Sequence, residues 1–539
     1  MPIRHTLIRA ARRRAATLPF DRRTYTRATY ALCLALSLTV ISCGNGTNSK
    51  AIPPPVVAPL SNLLTQLDVE NIVQAAAGSI NVPLTIAISD RRGQIIAVYS
   101  STFADPHALV PANFGILRPA DEVAAALART AAFFSNDQAP IGSRTVRYLS
   151  GIHFPPGIMN TESAPLYGIE NTNRGCGFNT TYLPGQSLPV PTLLNQPTQP
   201  GLGILTGKAD LLDSDPNAVN PGGVPIFKNN HVAGGIGVVT AYPTANYNAV
   251  VEYAAVVGTI GIGFTPIVPY PGAVVLGGVT LPFVMQTTMP DGYFAGNSQG
   301  TFSVGPSAAS GAAPEGDLIE ERGSTLGGLT QAQVEQIVAN AVATGNLTRA
   351  AIRLPAGVRA RFVIAVADLD GSLLALYRMP DATLFSVDVA VAKSRNVVYF
   401  SGTPVATDLP GGPPAGTAIT NRTLDFAAQP FYPEGIDGTA PGPFYPLFVN
   451  DVNNPCTNGS QPKSANQNGI VFFPGSTPLY INGKLVGGLG VSGDGVDQDD
   501  FAAAGGAVGF AAPTAIRADN YFDRSVRLTY QKFPPNPTD

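Results

Sequence analysis

The stretch FVIAVADLDGSLLALYRM, residues 362–379, decides the fold. Its two apolar arms flank Asp370 and Gly371, a pair that strongly favours a tight β-turn, so the stretch predicts an antiparallel hairpin. The segment IAISDRRGQIIAVY, residues 86–99, has the same pattern around a less ideal turn at Arg92 and Gly93. The same element is therefore encoded twice along the chain.

Four further segments recur in the same order in both halves. They are LTQLDVENIVQAAA (from 64) with LTQAQVEQIVANAV (from 329), RTVRYLSGIHFPPGI (from 144) with RTLDFAAQPFYPEGI (from 422), PIFKNNHVAGGIGVV (from 225) with PLYINGKLVGGLGVS (from 478), and GVTLPF (from 278) with SVRLTY (from 525). The repeat is too long for a solenoid, so each copy must bury its own core. We assign residues 61–285 to copy one and residues 326–539 to copy two. Residues 286–325 show no regular spacing of apolar residues, and we assign them to a linker.

The sequence pattern of each copy predicts the element order helix, hairpin, helix, hairpin, helix, strand. In copy two the second helix spans 388–400, the second hairpin turns at Asn482 and Gly483, and the last strand covers 526–530. Copy one carries an additional loop of about residues 180–220. This order indicates an α+β fold in which an antiparallel sheet is flanked by helices. We expect the two copies to pack as a pseudo-twofold dimer.

Residues 1–43 are typical of an export signal: an arginine-rich start, an apolar run from 31 to 41, and Cys43. The sequence Val-Ile-Ser-Cys resembles a bacterial lipobox, which predicts lipidation of Cys43; an ordinary signal peptide or an N-terminal membrane helix is the alternative. Gly44 favours an outer-membrane lipoprotein of the cell envelope. The polar and proline-rich residues 44–60 are typical of a tether.

The charge balance argues against nucleic acid as a partner. Without the predicted signal, which holds eight arginines and one aspartate, the chain keeps 25 basic and 35 acidic residues. A net charge of about −10 would repel a phosphate backbone. The membrane, through a lipid anchor, is the expected attachment.

The cysteines of the folded region are Cys176 and Cys456, at nearly equivalent positions of the two copies. In an oxidising compartment this pair indicates a disulfide between the copies, provided that both lie near the pseudo-twofold axis. Two separate buried thiols are the alternative.

Copy two resembles the GlcG/HbpS-like haem-binding family, which also occurs as the C-terminal part of PduO proteins. The resemblance rests on the hairpin quoted above, on AVAKSR in the following helix, and on PLYINGKLVGGLGVSGDGVDQDD. It covers residues 329–510 and, more loosely, 64–255. It implies a small α+β domain that binds haem or iron for storage, scavenging or sensing, with a homo-oligomer or a partner protein. An enzyme acting on small hydroxy acids or aldehydes and a structural surface lipoprotein remain alternatives.

The resemblance carries over to Arg378, Met379 and Lys393, whereas copy one has Ser100, Ser101 and Leu127 there. Copy two is therefore the better candidate for a ligand site.

Haem iron is usually held by histidine, methionine, cysteine or tyrosine. Copy two has no histidine, so we expect Met379, a tyrosine such as Tyr377, or a hydroxyl to meet the iron, with Arg378 and Lys393 available for the carboxylates. The alternative is a structural role in which these cations pair with acids such as Asp381.

Two further groups of residues are candidate ligands. His107 of copy one follows the first hairpin and could replace a lost iron ligand, although a loop histidine is more often structural. The run Asp494, Asp497, Asp499 and Asp500 has oxygen chemistry suited to calcium, but its spacing does not follow an EF-hand. Acids at a helix start are also explained by the helix dipole. No nucleophile motif is present, so catalysis is the weaker hypothesis.

Overall fold

The computed structural model describes residues 62–176, 201–266, 274–402, 408–462 and 466–538. The predicted export signal, Cys43 and the tether lie outside these residues, as does part of the additional loop of copy one. Within the described ranges, no helix is both long and apolar enough to cross a bilayer.

Copy one is built from helices and mostly short strands that follow the predicted order. They are α1 (Gln66–Gly78), β1 (Thr85–Asp90), β2 (Ile95–Ser101), β3 (Leu109–Pro111), β4 (Leu117–Pro119), α2 (Ala120–Phe134), α3 (Ser143–Tyr148), β5 (Gly223–Lys228), β6 (His231–Val239), α4 (Tyr247–Gly258), β7 (Val275–Leu276) and β8 (Val279–Thr280). Thr65 caps α1, because its side chain accepts a hydrogen bond from the backbone N–H of Asp68.

Copy two repeats this arrangement after two strands that lie between the copies. The elements are β9 (Gly300–Val304), β10 (Gly316–Ile319), α5 (Gln331–Leu347), β11 (Phe362–Ala367), β12 (Leu373–Arg378), α6 (Phe385–Ser401), α7 (Asn421–Ala427), α8 (Tyr445–Asn453), β13 (Ser476–Ile481), β14 (Lys484–Gly493), α9 (Val496–Gly506), β15 (Phe522–Asp523) and β16 (Val526–Arg527). The turn between β13 and β14 places Asn482 and Gly483 at φ 51° and 76°, the left-handed conformation that this pair favours.

The main sheets of the two copies have the same strand order. It is β5-β6-β1-β2-β9 in copy one and β13-β14-β11-β12-β10 in copy two, and every pairing is antiparallel. The predicted α+β fold with antiparallel sheets flanked by helices is confirmed. Equal topology in both halves is what a duplicated domain produces.

The segment 286–325, predicted to be a linker without apolar period, supplies the outer strand of each sheet. Strand β9 pairs with β2, and β10 pairs with β12, where Tyr377 lies opposite Asp317. Both added strands are short and mostly exposed or half-buried, so they lack the apolar alternation by which a strand is recognised in a sequence.

The predicted last strand of each copy is not part of its main sheet. Residues 526–530 were expected to form it in copy two, but only Val526 and Arg527 are in a strand, paired with Phe522 and Asp523. The equivalent residues of copy one form the small hairpin β7–β8. A strand of two residues buries too little apolar surface to join the core of its copy. The small hairpin is nevertheless present in both copies.

Glycines bring one helix of each copy into close contact with its sheet. A Cβ atom at Gly235 or Gly237 would collide with backbone oxygens of α2, and one at Gly488 or Gly490 would collide with backbone oxygens of α6. The GGIGV and GGLGV motifs therefore serve helix packing. Helices α1 and α4 cover the other face of the first sheet, as α5 and α9 cover that of the second.

Nearly equivalent residues of the two copies meet at their interface. Cys176 and Cys456 form a disulfide with Cα atoms 5.3 Å apart. The ring of His153 stacks on Phe431, the residue aligned with it, at a centroid distance of 6.4 Å. Such contacts are expected only close to a pseudo-twofold axis.

Candidate ligand-binding site

A cavity of about 1120 Å³ lies between the two copies. This volume slightly exceeds the usual range of small-molecule sites, roughly 300–1000 Å³. Residues from both copies line it. The apolar part of its wall includes Phe134, Ile141, Leu149, Phe154, Leu166, Val274, Val275, Leu276, Ile352, Leu354, Phe385, Phe473 and Val496. The site is complete only when the copies are packed together.

Two phenylalanines from opposite copies stack face to face at this wall, and each is 2% exposed. The rings of Phe134 at the end of α2 and Phe385 at the start of α6 stack with centroids 4.0 Å apart and planes 5° apart. The adjacent backbone is also joined, because the N–H of Leu384 donates to the carbonyl oxygen of Phe133 at 3.0 Å. This part of the wall is therefore a contact between the two copies.

The charged groups at the cavity are mostly paired. Arg422 contacts Asp497 and Asp500 at 2.5 Å each. Glu434 accepts a hydrogen bond from the backbone N–H of Ser163 in copy one at 2.8 Å. Burial raises the pKa of Glu434 and that of the neighbouring Asp425. These carboxyl groups are therefore more easily neutralised than exposed ones.

Lys393 and Asp499 form a buried ion pair beside the cavity. The ammonium group lies 3.0 Å from Oδ2 of Asp499, 2.9 Å from the carbonyl oxygen of Val491 and 4.9 Å from the centre of the Phe473 ring. Burial raises the pKa of Asp499 to about 7, against the opposing effect of Lys393. Asp499 lines the cavity, and Oδ1 has no hydrogen-bond partner among the described residues.

Copy one keeps one of the ion pairs of this region and lacks the other. Arg144 and Glu252, 2.6 Å apart, correspond to Arg422 and Asp500. The positions of Lys393 and Asp499 are occupied there by Leu127 and Val251, both fully buried. Both positions of the second pair thus differ between the copies. They hold an ion pair in copy two and two apolar side chains in copy one.

Arg378 lies outside the cavity wall and contacts the strand that precedes copy two. Its guanidinium donates to the carbonyl oxygens of Ala382 and Pro314 and lies 3.5 Å from Glu315. It is 2% exposed. Arg378 therefore links β10 to the loop after β12, and its acidic neighbour is Glu315 rather than the expected Asp381.

The other residues predicted near Arg378 are also engaged within the fold. Asp381 pairs with Arg353 at 2.6 Å and accepts from the backbone N–H of Asp137 in copy one. Met379 is 2% exposed in the hydrophobic core, and its sulfur accepts from the N–H of Phe362 at 3.4 Å. Tyr377 is half-buried on β12. The structure thus keeps this group apart from Lys393 and the cavity.

His107 and the acidic run have structural contacts. The side chain of His107 is 73% exposed and lies 3.3 Å from Asp121 at the start of α2. In the acidic run, Asp494 pairs with Arg353, while the others contact Lys393 or Arg422. Among the described residues, no group of three or more histidine, cysteine or acidic side chains could hold a metal ion.

The geometry of copy two can be compared with known proteins. Residues 329–507 match the family model described as "Haem degrading protein HbpS-like". These residues form an HbpS-like domain. Corrinoid adenosyltransferase PduO of Citrobacter freundii is 30% identical over 157 residues, which are 28% of this chain. The match covers 33% of that protein, so the chain spans about a third of its length.

Two solved structures align with about one copy of the chain. They are titled "Crystal Structure of PduOC:Heme Complex" and crystal structure of Klebsiella pneumoniae protein ORFY, with 22% and 18% identity. Each alignment covers 35% of this chain. It covers 98% of the first solved chain and 95% of the second. The TM-score is 0.23 in both cases.

The HbpS-like domain does not offer the side chains that usually hold haem iron. Among the described residues that line the cavity there is no histidine, methionine, cysteine or tyrosine. The predicted ligands are elsewhere, since Met379 is in the core and His107 is on the surface. The residues present therefore offer an apolar wall to a ligand but do not fit iron held by a usual axial ligand.

Proposed function

We propose that this protein binds a haem-type tetrapyrrole in the cavity between its two copies. The observation that carries the proposal is the large cavity between the copies, whose apolar lining comes from both of them. Small-molecule sites are typically concave and mostly apolar with a few polar groups, and a cavity of this volume can bury a large conjugated ring. The description of the matched family, which names haem, supports the same class of ligand.

Cationic groups at the cavity suit the carboxylates of such a ligand. Arg349 lines the cavity, and its Nε–H has no acceptor among the described residues. Lys532 also lines it, with a side chain 61% exposed and only a 3.6 Å contact to Asp497. Hydrogen bonds from a cation to a carboxylate are roughly twice as strong as neutral ones. An amphipathic, dicarboxylate ring therefore matches both parts of the wall.

Absorption titration of the purified protein with haemin and with iron-free protoporphyrin IX tests this proposal. We expect a saturable spectral change at about one equivalent with at least one of the two porphyrins. Arg349→Ala should weaken this binding about tenfold, since a charge-assisted hydrogen bond is lost. Arg527→Ala is the matched control, because Arg527 is 61% exposed, contacts Asp519 and is not among the residues that line the cavity. The absence of saturable binding of both porphyrins would contradict the proposal.

We also propose that the chain is exported and lipid-anchored through Cys43. The disulfide between Cys176 and Cys456 supports an oxidising compartment, where such bonds persist. Metabolic labelling with palmitate in a bacterial host tests this. We expect label in the wild type and in Cys33→Ser but none in Cys43→Ser, whereas label retained in Cys43→Ser would contradict the anchor.

A further inference from the structure

Copy one carries an apolar insertion that copy two lacks. Residues 102–119 connect β2 to α2, whereas residues 379–384 make the same connection in copy two. The insertion contains the hairpin β3–β4. Residues directly opposite each other in an antiparallel pair share a face, as do residues two apart on one strand. One face of the hairpin is therefore entirely apolar and consists of Leu109, Pro111, Leu117 and Pro119.

This face is turned to solvent. Leu109 is 62% exposed and Leu117 is 51% exposed, while Val110, on the opposite face of the hairpin, is buried. Ile116, in the loop between the two strands, is also exposed. Single exposed apolar residues are normal on a protein surface, but a group of them indicates an interaction site. Copy two packs the equivalent helix on its sheet without any such hairpin, so the fold does not require it.

The start of the insertion holds an aromatic ring in solvent. The N–H of Ala104 donates to the carbonyl oxygen of Ser101 at 2.9 Å, which closes a tight turn, and Phe103 occupies its third position with φ 74°. Glycine or asparagine is favoured there, because a bulky side chain is strained at positive φ. The Phe103 ring is nevertheless 91% exposed. Neither the strained backbone nor the exposed ring stabilises the isolated fold, so both point to a contact outside it.

The insertion fits a lipid bilayer better than a second protein chain. A stable interface between two proteins involves about 20–30 residues on each side, far more than the insertion exposes. A bilayer can take up a few apolar side chains when the protein is already held at its surface. The charges of Asp105 and Arg118 cancel within residues 102–119, so the insertion is not repelled by anionic lipids although the chain as a whole is acidic.

The proposed lipid anchor brings a bilayer within reach of the insertion. Residues 44–61 separate Cys43 from the described fold and span at most roughly 60 Å when fully extended. They join the fold just before α1, which is about 20 Å long. The insertion leaves the sheet beyond the other end of α1, where the N–H of Ser101 donates to the carbonyl oxygen of Leu84. The tether is therefore long enough for the anchor and the insertion to meet the same membrane.

We propose that the insertion 102–119 of copy one places its exposed apolar side chains in the membrane to which Cys43 is anchored. This inference rests on the proposed lipid anchor. Phe103, Leu109 and Leu117 enter the boundary between headgroups and acyl chains, where membrane-surface segments bury their aromatic and aliphatic side chains. A flexible tether alone leaves the folded part free to rotate, so this second contact fixes its orientation on the bilayer.

The chain contains no tryptophan, so a single introduced one reports on its own surroundings. The lipidated full-length protein is reconstituted in phosphatidylcholine vesicles with and without brominated acyl chains, which quench tryptophan fluorescence on contact. We expect Phe103→Trp and Leu117→Trp to give blue-shifted emission that brominated lipid largely quenches. Phe522→Trp is the matched control and should stay unquenched, because Phe522 is 65% exposed but lies on β15 of copy two.

Adding Leu109→Ser and Ile116→Ser to Phe103→Trp should remove most of the quenching, whereas adding Val508→Ser, which changes an exposed residue of copy two, should not. Unquenched emission from Phe103→Trp and Leu117→Trp in protein that floats with the vesicles would overturn the inference and leave the lipid anchor intact. A blue shift without vesicles that grows with protein concentration would also overturn it, because a second copy would then cover the surface. If the wild type is neither labelled with palmitate nor found with the vesicles, both proposals fail.

Discussion

Removing one partner of the Lys393–Asp499 pair should cost far more stability than removing both. The two side chains are 0% and 4% exposed, so each single change leaves a buried group without its counter-charge. We expect Lys393→Leu or Asp499→Val to lower the free energy of unfolding by about 3–5 kcal/mol at pH 8. The double variant should stay within about 1–2 kcal/mol of the wild type, because the same pair of apolar residues packs in copy one.

The pH dependence of the single variants provides a sharper measurement. Burial raises the pKa of Asp499 to about 7 and lowers that of Lys393. Without Lys393, Asp499 can be protonated below its folded pKa, so the cost of Lys393→Leu should shrink between pH 8 and pH 5.5. Urea unfolding followed by circular dichroism under non-reducing conditions measures this. Single variants that are no less stable than the double variant at pH 8 would refute the reasoning.

Three further predictions concern the fold. A tryptic digest should give a Cys176–Cys456 linked peptide that disappears on reduction, and replacing both cysteines by serine should cost about 2–5 kcal/mol in urea unfolding. Gly490→Ala should be strongly destabilising in the same assay, because its Cβ would meet the backbone of α6, while Gly78→Ala, with open space around it, should not be. Burial raises the pKa of Asp451 to about 8 against an unfolded value near 4, so the folded state binds the extra proton and stability should fall as pH rises from 5 to 8. Asp451→Asn should flatten that slope, and an unchanged slope would contradict the assignment.

Local sequence patterns were sufficient to predict the repeated hairpins and helices. The turn at Asn482 and Gly483 adopts the conformation that its residues favour, and the helix expected over 388–400 spans Phe385–Ser401. Strands β9 and β10 were missed because few of their side chains are buried. An edge strand that is held mainly by backbone hydrogen bonds does not need alternating apolar residues, so the apolar pattern of the sequence does not reveal it.

The candidate site was predicted less completely than the fold. Lys393 was selected through the family resemblance, but its partner Asp499 is 106 residues away in the sequence. The acidic run that contains Asp499 was better explained by the helix dipole than by a ligand site. The partners of Arg378 lie in the segment taken for a linker. A comparison of the two copies could have found the pair, because Lys393 and Asp499 are replaced together.

The connection between the copies determines where the chain can be opened. Residues 305–315 lie between β9 and β10, so a protease that cuts there leaves each half with its full complement of five sheet strands. A cut before residue 300 would instead transfer the outer strand of the first sheet to the wrong fragment. After the first kind of cut, the Cys176–Cys456 bond would still join the fragments, and only a reductant could let them separate.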